Sequence, residues 1–490
     1  MKNNEVAVFT SEYKKYPEIP PYHPDTLYPE YPFEFVEKRE RNVVYEGIRE
    51  CLRLLKLDSK KYGKKNWNPL GEFIKPGDVV VLKPNLIAES VEYDPEKWEF
   101  VITHGSIIRA IVDYVYIALK GKGKIIICDG PQTDSNMELI KERIRIKELT
   151  ELYKKNKNFD LEFYDLRNEV WETKNGVVVS KKLINEDPEG YITINLKDKS
   201  KFFELDNKKK KFYGAYYDIE ETNKHHQKGH HEYYFSKLIL SANVIINLPK
   251  LKTHKKSGVT LNLKNIIGVT GNRNWLPHYI FGTPKVGGDQ YSEKNGLKFL
   301  EEYIVKYAKS LLKRNNSILK LFITKLKLKQ LGYRIFGSTS EVLRSGNWYG
   351  NDTVWRMIID LNTILHYADK EGNLNFDEKR KFFSIVDGII GMQGNGPMAG
   401  IPYFSGIIVA GKDFFNVDLT CTKLMGFDYK KIRLYNEIYK EKNFPLFSNK
   451  YEEILVLSNN EIYNKFLKDI RREDTLHFIP HFGWLNYIEL

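Results

Sequence analysis

An α/β fold with a mostly parallel, doubly wound sheet, interrupted by helical and β insertions, is what the sequence predicts. Three observations carry that expectation. Short β-type runs recur at Val79–Leu82, Lys124–Cys128, Val244–Leu248, Phe383–Val386 and Ile407–Ala410, and near-continuous apolar runs suit strands buried on both faces. Helical spacing lies between them, clearest in Ile107, Ile108, Ile111, Val112, Val115 and Leu119 after Thr103. Polar and glycine-rich clusters follow the ends of the runs, which is where open α/β sheets bind ligands.

In chain order, Val6–Phe9 reads as a first strand and residues 11–32, rich in Tyr and Pro, as an irregular surface wrap. Arg39–Leu57 has helical spacing in Val43, Val44, Ile48, Cys51, Leu52 and Leu55. Lys75-Pro-Gly-Asp78 is a turn into the strand Val79–Leu82. The helix after Thr103 stops at Gly121 and Gly123, and Lys124–Cys128 completes a β-α-β unit. A helix near Met137–Tyr153 and a strand Leu161–Tyr164 continue it, so 1–165 form an N-terminal α/β part. Residues 166–236 read as a β-rich insertion with strands Val177–Val179 and Tyr191–Asn195 and a histidine cluster. Residues 237–296 hold the central site segment, 297–345 a basic helical insertion, and 346–490 a C-terminal α/β part. In that last part a helix capped by Asn351 or Asp352 runs through Ile364, a second spans Phe414–Met425, and Ile454–Leu457 is a strand. The aromatic end Phe478–Ile488 is expected to pack back on the core.

Composition narrows the class. With 490 residues, 42% hydrophobic, the chain can bury one large core or two coupled ones. Cys51, Cys128 and Cys421 are far apart and form no CxxC pair, so neither a disulfide framework nor an iron–sulfur cluster is expected. The start is polar, without the apolar stretch of a signal peptide, and no run is long and apolar enough for a membrane span, so a cytoplasmic protein is expected. The net charge of +13 admits a nucleic acid, a membrane surface or an anionic substrate, or simply a lysine-rich surface. No zinc-finger spacing, RNA-binding aromatic signature or heptad run favours nucleic acid.

The stretch Ala242–His278 concentrates the chemistry. Pro249 ends the strand Val244–Leu248, and Lys250, Lys252, Thr253, His254, Lys255, Lys256, Lys264, Asn272, Arg273, Trp275 and His278 follow, interleaved with glycines. So many cations with so few carboxylates point to an anionic ligand, the alternative being a solvated basic loop. Lys83, Asn85, His104, Asp129 and Asp387 also stand at or just after strand ends and are expected to share that edge. Lys264, beside Lys250, Lys252 and Arg273, is expected to have a lowered pKa and to face the crevice from a half-buried strand or short helix. His254, Lys264, His104, His231 and Glu232 are the candidate acid–base groups, and Lys83, Asn85, Asp129, Lys250, Lys252, Thr253, Asn272, Arg273, Trp275, His278, Asp352, Arg356, Asp387 and Asn395 the candidate substrate-binding groups.

Other segments carry separate expectations. His225, His226, His230, His231 and Glu232 lie within eight residues, which offers ligands for a divalent metal through His230 and His231, or a lid carrying an acid and a base. His278–Asp289 is a glycine-punctuated loop of the kind that forms lids. Residues 303–340 hold nine lysines and arginines and no acidic residue, so the segment either packs on its own protein or associates peripherally with an anionic membrane. Asp352 and Arg356 sit at a helix start beside Trp, Tyr and Gly, where Arg suits carboxylate or phosphate. Gly391, Gly394, Gly396 and Gly400, with Asn395, are read as a loop after the strand Phe383–Val386 that cradles phosphate through backbone N–H groups.

Asn247-Leu-Pro-Lys-Leu-Lys-Thr-His254 and Leu261-Asn-Leu-Lys-Asn-Ile-Ile-Gly268 together resemble the central signature of the domain-of-unknown-function 362 family. Val81-Leu-Lys-Pro-Asn-Leu86 with Thr103-His-Gly105, and Val386-Asp-Gly-Ile-Ile-Gly391 with Gly394-Asn-Gly-Pro397 and Ala410-Gly-Lys-Asp413, fit the same family, roughly over residues 75–425. The resemblance implies a fold and a site but no reaction. Many relatives carry a ferredoxin-like cysteine-rich segment that this chain lacks. His254, Gly258 and Lys264 are also similar in spacing to a motif of the nickel-pincer lactate racemase family, whose lysine tethers the cofactor. That family's double glycine before the lysine falls at Leu261–Leu263 here, so only kinship of fold is implied and the pincer cofactor stays open.

Two function classes follow. One is an enzyme acting on a phosphorylated or carboxylated small molecule or glycan precursor. The other is a non-catalytic scaffold that docks an acidic partner or membrane through 303–340. Convergence of polar residues on one strand edge favours the enzyme. Its reaction, its cofactor and its oligomeric state are not written in the sequence.

Overall fold

The computed structural model describes residues 4–174, 177–208, 211–214, 218–293, 342–377, 380–447 and 449–490. The expected membrane-facing segment 303–340 lies outside the described residues.

A ten-stranded sheet organises the chain. Its strands are β1 (Glu5–Thr10), β2 (Val79–Pro84), β3 (Lys124–Asp129), β4 (Leu161–Asp165), β5 (Val244–Leu248), β6 (Lys250–His254), β7 (Gly258–Thr260), β8 (Lys381–Gln393), β9 (Ile401–Gly411) and β10 (Leu455–Ser458). The order is β10-β1-β9-β8-β5-β2-β3-β4, with β6 pairing to β8 and β7 off this path. Pairing is parallel from β4 through β8. It turns antiparallel at β8/β9, β1/β9 and β6/β7. The fold is therefore the expected α/β class with a mostly parallel sheet.

Alternating strand residues feed two cores. Val81, Ile126, Cys128 and Ile245 face one core, with helices α3 (Val354–Tyr367) and α4 (Phe414–Leu424). Val80, Leu82, Ile125, Ile127, Val244 and Ile246 face the other, under helices α1 (Val43–Leu54) and α2 (Gly105–Leu119) and the 137–157 helices. Strands buried on both faces need no polar alternation, which is why they read as near-continuous apolar runs.

Connectivity locates the crevice. From β2 the chain steps outward to β3 and β4, then returns to lay β5 on the other side of β2. The winding therefore reverses between β2 and β5, and the carboxyl ends at such a reversal diverge and leave an opening. Lys83-Pro84-Asn85 ends β2, and Pro249 with β6 follows β5, so both flank that point.

Two expectations change. The 383–386 strand continues through Gln393, because β9 pairs with it as far as Gln393↔Ile401, so Gly391 lies in the strand and the loop is only 394–400. The helix expected from Asn351 begins at Val354, where Asn351 Oδ1 accepts from Thr353 N (3.1 Å) and Val354 N (2.8 Å). The tail packs back as expected, burying Phe478, Trp484 and Ile488. Among the described residues no helix is long and apolar enough to cross a membrane.

Candidate functional site

Strand β6 places the first side chains. Residues two apart in a strand share a face, so Lys250, Lys252 and His254 follow one another along it. Gly258, at φ +80°, closes the hairpin to β7 in a conformation that L side chains rarely adopt. The chain then forms a short helix, Asn262–Asn265, whose start is held by Asp418: its carboxylate accepts from Asn262 N (2.8 Å), Asn262 Nδ2 (2.9 Å) and Leu263 N (3.0 Å). Burial pushes the Asp418 carboxyl up to about 7. Lys264 thus stands on a clamped turn.

A cavity of about 300 Å³ opens here at the reversal of the sheet. Lys252, His254, Lys255, Lys256, Lys264, Arg273, His278 and Arg344 line it, together with Asn85, Gln132, Tyr279 and Asn347, and none of the described residues that line it is acidic. Ile87, Ile267, Leu276, Pro397 and Met398 supply apolar wall. Its size lies at the lower end of small-molecule pockets, about 300–1,000 Å³.

The cations differ in what they already hold. Lys252 donates to Asn85 Oδ1 (2.8 Å) and the Val101 carbonyl (2.7 Å). Asn85 continues an amide chain, donating to Asn265 Oδ1 (2.8 Å), which donates to Asn247 Oδ1 (2.8 Å), which donates to the Asn262 carbonyl (3.0 Å). Arg273 is spent on the Ile267 and Gly130 carbonyls and fastens the loop after β3. Lys256 donates to the Ser345 carbonyl. Lys264, half-buried, has no hydrogen-bond acceptor among the described residues. Burial first, then Arg273, Lys83 and Lys255, push its ammonium down to about 7.

The two cavity histidines carry opposite functions. His254 Nδ1 accepts from the backbone N–H groups of Lys256 (3.1 Å) and Ser257 (3.2 Å), so its single proton is assigned to Nε2. Burial, then Lys264, hold its pKa well below the usual range. In this neutral form it offers the cavity a hydrogen-bond donor, the Nε2–H. His278 Nδ1 donates to the Leu276 carbonyl (2.8 Å), which leaves the Nε2 lone pair, and burial lowers its pKa to about 3.

Beneath the cavity lie two buried ion pairs. Lys83 and Asp129 meet at 2.7 Å, with Asp129 also accepting from Leu86 N (2.6 Å) and Gly130 N (2.8 Å). Lys250 and Asp387 meet at 2.9 Å, and Tyr16 Oη donates to Asp387 (2.5 Å) while accepting from Lys250 (2.6 Å). His104 caps α2, donates its N–H to Asp387 (2.9 Å) and stacks between Tyr16 and Trp98. These five residues were expected in the crevice, but they form the fully enclosed floor and hinge of the sheet end and do not line the cavity. A Cβ at Gly268 would overlap the Asp129 carboxylate. Gly268→Ala is therefore expected to cost about 1–3 kcal/mol of stability, as overpacking does, read from denaturant midpoints.

Other expected site residues go elsewhere. On the strand His230–Ser236, successive side chains point to opposite faces: His231 is buried at 3.3 Å from Asp206, while Glu232 bonds His225 at 2.8 Å. His230 shares the face of Glu232, 3.7 Å from it, and meets Asn195. Among the described residues no group of three or more His, Cys, Asp or Glu converges as a metal site. Asn272 and Trp275 both donate to Glu221, at 3.2 and 3.0 Å. Arg356 pairs with Asp352 (3.3 Å) and Glu204 (3.1 Å) on the cover of α3. Thr253 donates to the Gly394 carbonyl (2.9 Å), and Asn395 does not line the cavity. The Gly394 and Gly396 N–H groups donate to the Ile479 and Gly394 carbonyls, so this loop is no phosphate cradle. The expected lid is pinned: Asp289 accepts from Ile280 N, Asp352 N and the Thr353 hydroxyl.

Lys255, Lys256, Gln132, Tyr279, Arg344 and Asn347 line the cavity without having been singled out as site residues. Only the two lysines carried a signal, being part of the basic stretch. The others arrive through chain returns that no local pattern marks.

A family model described as a domain of unknown function, DUF362, matches residues 80–187 and 200–423. No protein of curated function matches the chain. Among solved structures, a protein from Thermotoga maritima is similar over 80% of this chain and 59% of its own length, at 12% identity and a TM-score of 0.30. The chain therefore spans under two thirds of that protein. None of these findings supports the nickel-pincer resemblance.

Proposed function

The chain belongs to the domain of unknown function 362 family, which assigns no reaction, and from its cavity we propose a cytoplasmic enzyme acting on a small anionic molecule, phosphorylated or carboxylated. The observation that supports this reading is a small cavity at the sheet's reversal point, where the described lining holds six lysines and arginines and no acidic residue. Like charges held together in a desolvated space raise each other's energy, and an anion relieves it. A surface that only needed solubility would leave those side chains in water. His254 adds a neutral donor aimed by backbone N–H groups, the kind of preorganised group that stabilises developing negative charge. Glycan precursors fit the proposal only through their phosphate or carboxylate end, given the cavity's size. The scaffold alternative drew on 303–340, and no described residue favours it.

Sulfate and oxalate test the reading, because neither changes charge between about pH 6 and pH 9, while Lys264 does. With its ammonium held at about 7, Lys264 is charged at the acidic end and neutral at the alkaline end. Calorimetric affinity for the bound anion is expected to fall as pH rises through about 7, and to lose that step in Lys264→Arg, which stays charged. Absence of binding by both anions at low salt would overturn the reading.

A further inference from the structure

Lys264 differs from its neighbours in being uncommitted. Lys252 already has two acceptors, Arg273 is held by backbone carbonyls, and Lys256 reaches Ser345. Lys255 also faces the cavity, but Glu92 lies near enough to favour its charged form. Lys264 has no hydrogen-bond acceptor among the described residues, Asp129 acts on its charge less than Arg273, Lys83 and Lys255 do, and its backbone is clamped by Asp418 through the helix start. A proton donor and a proton acceptor, His254 Nε2–H and the His278 Nε2 lone pair, line the same cavity.

We propose that Lys264 forms an imine with a small anionic aldehyde or ketone, its carboxylate or phosphate held by the surrounding cations. This deepens the anion-binding reading and rests on it. In the step, the Nζ lone pair bonds to the carbonyl carbon while the carbonyl π pair moves onto oxygen. One amine proton passes to that oxygen, giving a carbinolamine. Loss of the oxygen as water, with the second amine proton, leaves the C=N bond. Amine plus carbonyl thus gives imine plus water, with no change in oxidation state. His254 donates its Nε2–H to the carbonyl oxygen as charge builds there, and the His278 Nε2 lone pair accepts a hydrogen bond from the nitrogen and orients it while its proton passes to that oxygen. An amine crowded by cations and partly shielded from water is the arrangement that keeps a lysine nucleophilic.

The test uses the full chain with glyoxylate, a two-carbon anionic aldehyde, and cyanoborohydride to reduce any imine to a stable secondary amine. Peptide mass mapping then ranks the modified lysines. Lys264 is expected to be modified first, at least about tenfold faster than any other lysine, and sulfate is expected to suppress it. Preferential modification of Lys255, or rates equal to those of surface lysines, overturns the imine. Lys264→Arg separates the two claims, since it keeps the charge and removes the nucleophile. If sulfate binds the wild type and this variant while glyoxylate is not trapped at Lys264, the imine falls and the anion site stands. If sulfate also fails to bind, both fall.

Discussion

Lys264→Met is expected to weaken sulfate binding at about pH 6 by roughly ten- to a hundredfold, the value of one charge-assisted hydrogen bond, about 1.5–3 kcal/mol. The thermal midpoint should stay level or rise, because the variant removes a half-buried ammonium that Arg273, Lys83 and Lys255 crowd more than Asp129 offsets. The sign follows from linkage. The ammonium sits at about 7 in the folded chain and near 10.4 when unfolded, so between these values the unfolded state binds more protons. Stability of the ligand-free protein therefore rises with pH across that window, and Lys264→Met flattens the rise. Arg273→Met would not be as clean a test, since Arg273 also holds the loop after β3. Titration calorimetry and thermal melts on the same preparation decide the matter. Lost binding together with a large drop in midpoint would mean that Lys264 supports the fold instead of the ligand.

Asp387→Leu is expected to cost the most stability, about 3–5 kcal/mol, because it strands the Lys250 ammonium in a fully enclosed place. Three donors lose their acceptor at once: Lys250, Tyr16 Oη and the His104 N–H. Burial lowers the pKa of Lys250, so some of the cost is relieved by its giving up the proton. The double variant Lys250→Met/Asp387→Leu should recover most of the loss, since an apolar pair of similar volume can replace a buried ion pair at little cost. Urea unfolding of the single and double variants gives the coupling. If the double is no better than the single, the pair is not what holds this end of the sheet.

Much of the fold was legible in the sequence because its signals are local. Apolar β-type runs and helical spacing each span a few residues, and Val244–Leu248 and Tyr191–Asn195 matched to the residue. The extension of β8 to Gln393 was not legible, since pairing with β9, and not composition, sustains a strand through Gly388 and Gly391. Within the site, Lys252, His254, Lys264, Arg273 and His278 share one stretch of chain, and proximity in sequence brought them together in space. The histidine cluster failed for the complementary reason: adjacent residues in a strand face opposite ways, so closeness in sequence separated them.

By itself, then, the sequence determined an α/β chain with a basic, glycine-interleaved segment after a buried strand, which is enough to place a cluster of cations on a sheet edge. Tertiary structure alone decided which cations were available to a ligand. Lys83, Lys250 and Lys264 are the same residue type, each at or shortly after a strand end. Asp129 lies 46 positions from the first and Asp387 137 positions from the second, and each pairs with its lysine across the sheet, while among the described residues no carboxylate forms such a pair with Lys264. A charge's availability depends on what the folded chain brings within about 3–4 Å of it, and that distance is set by strand order, not by neighbours in sequence.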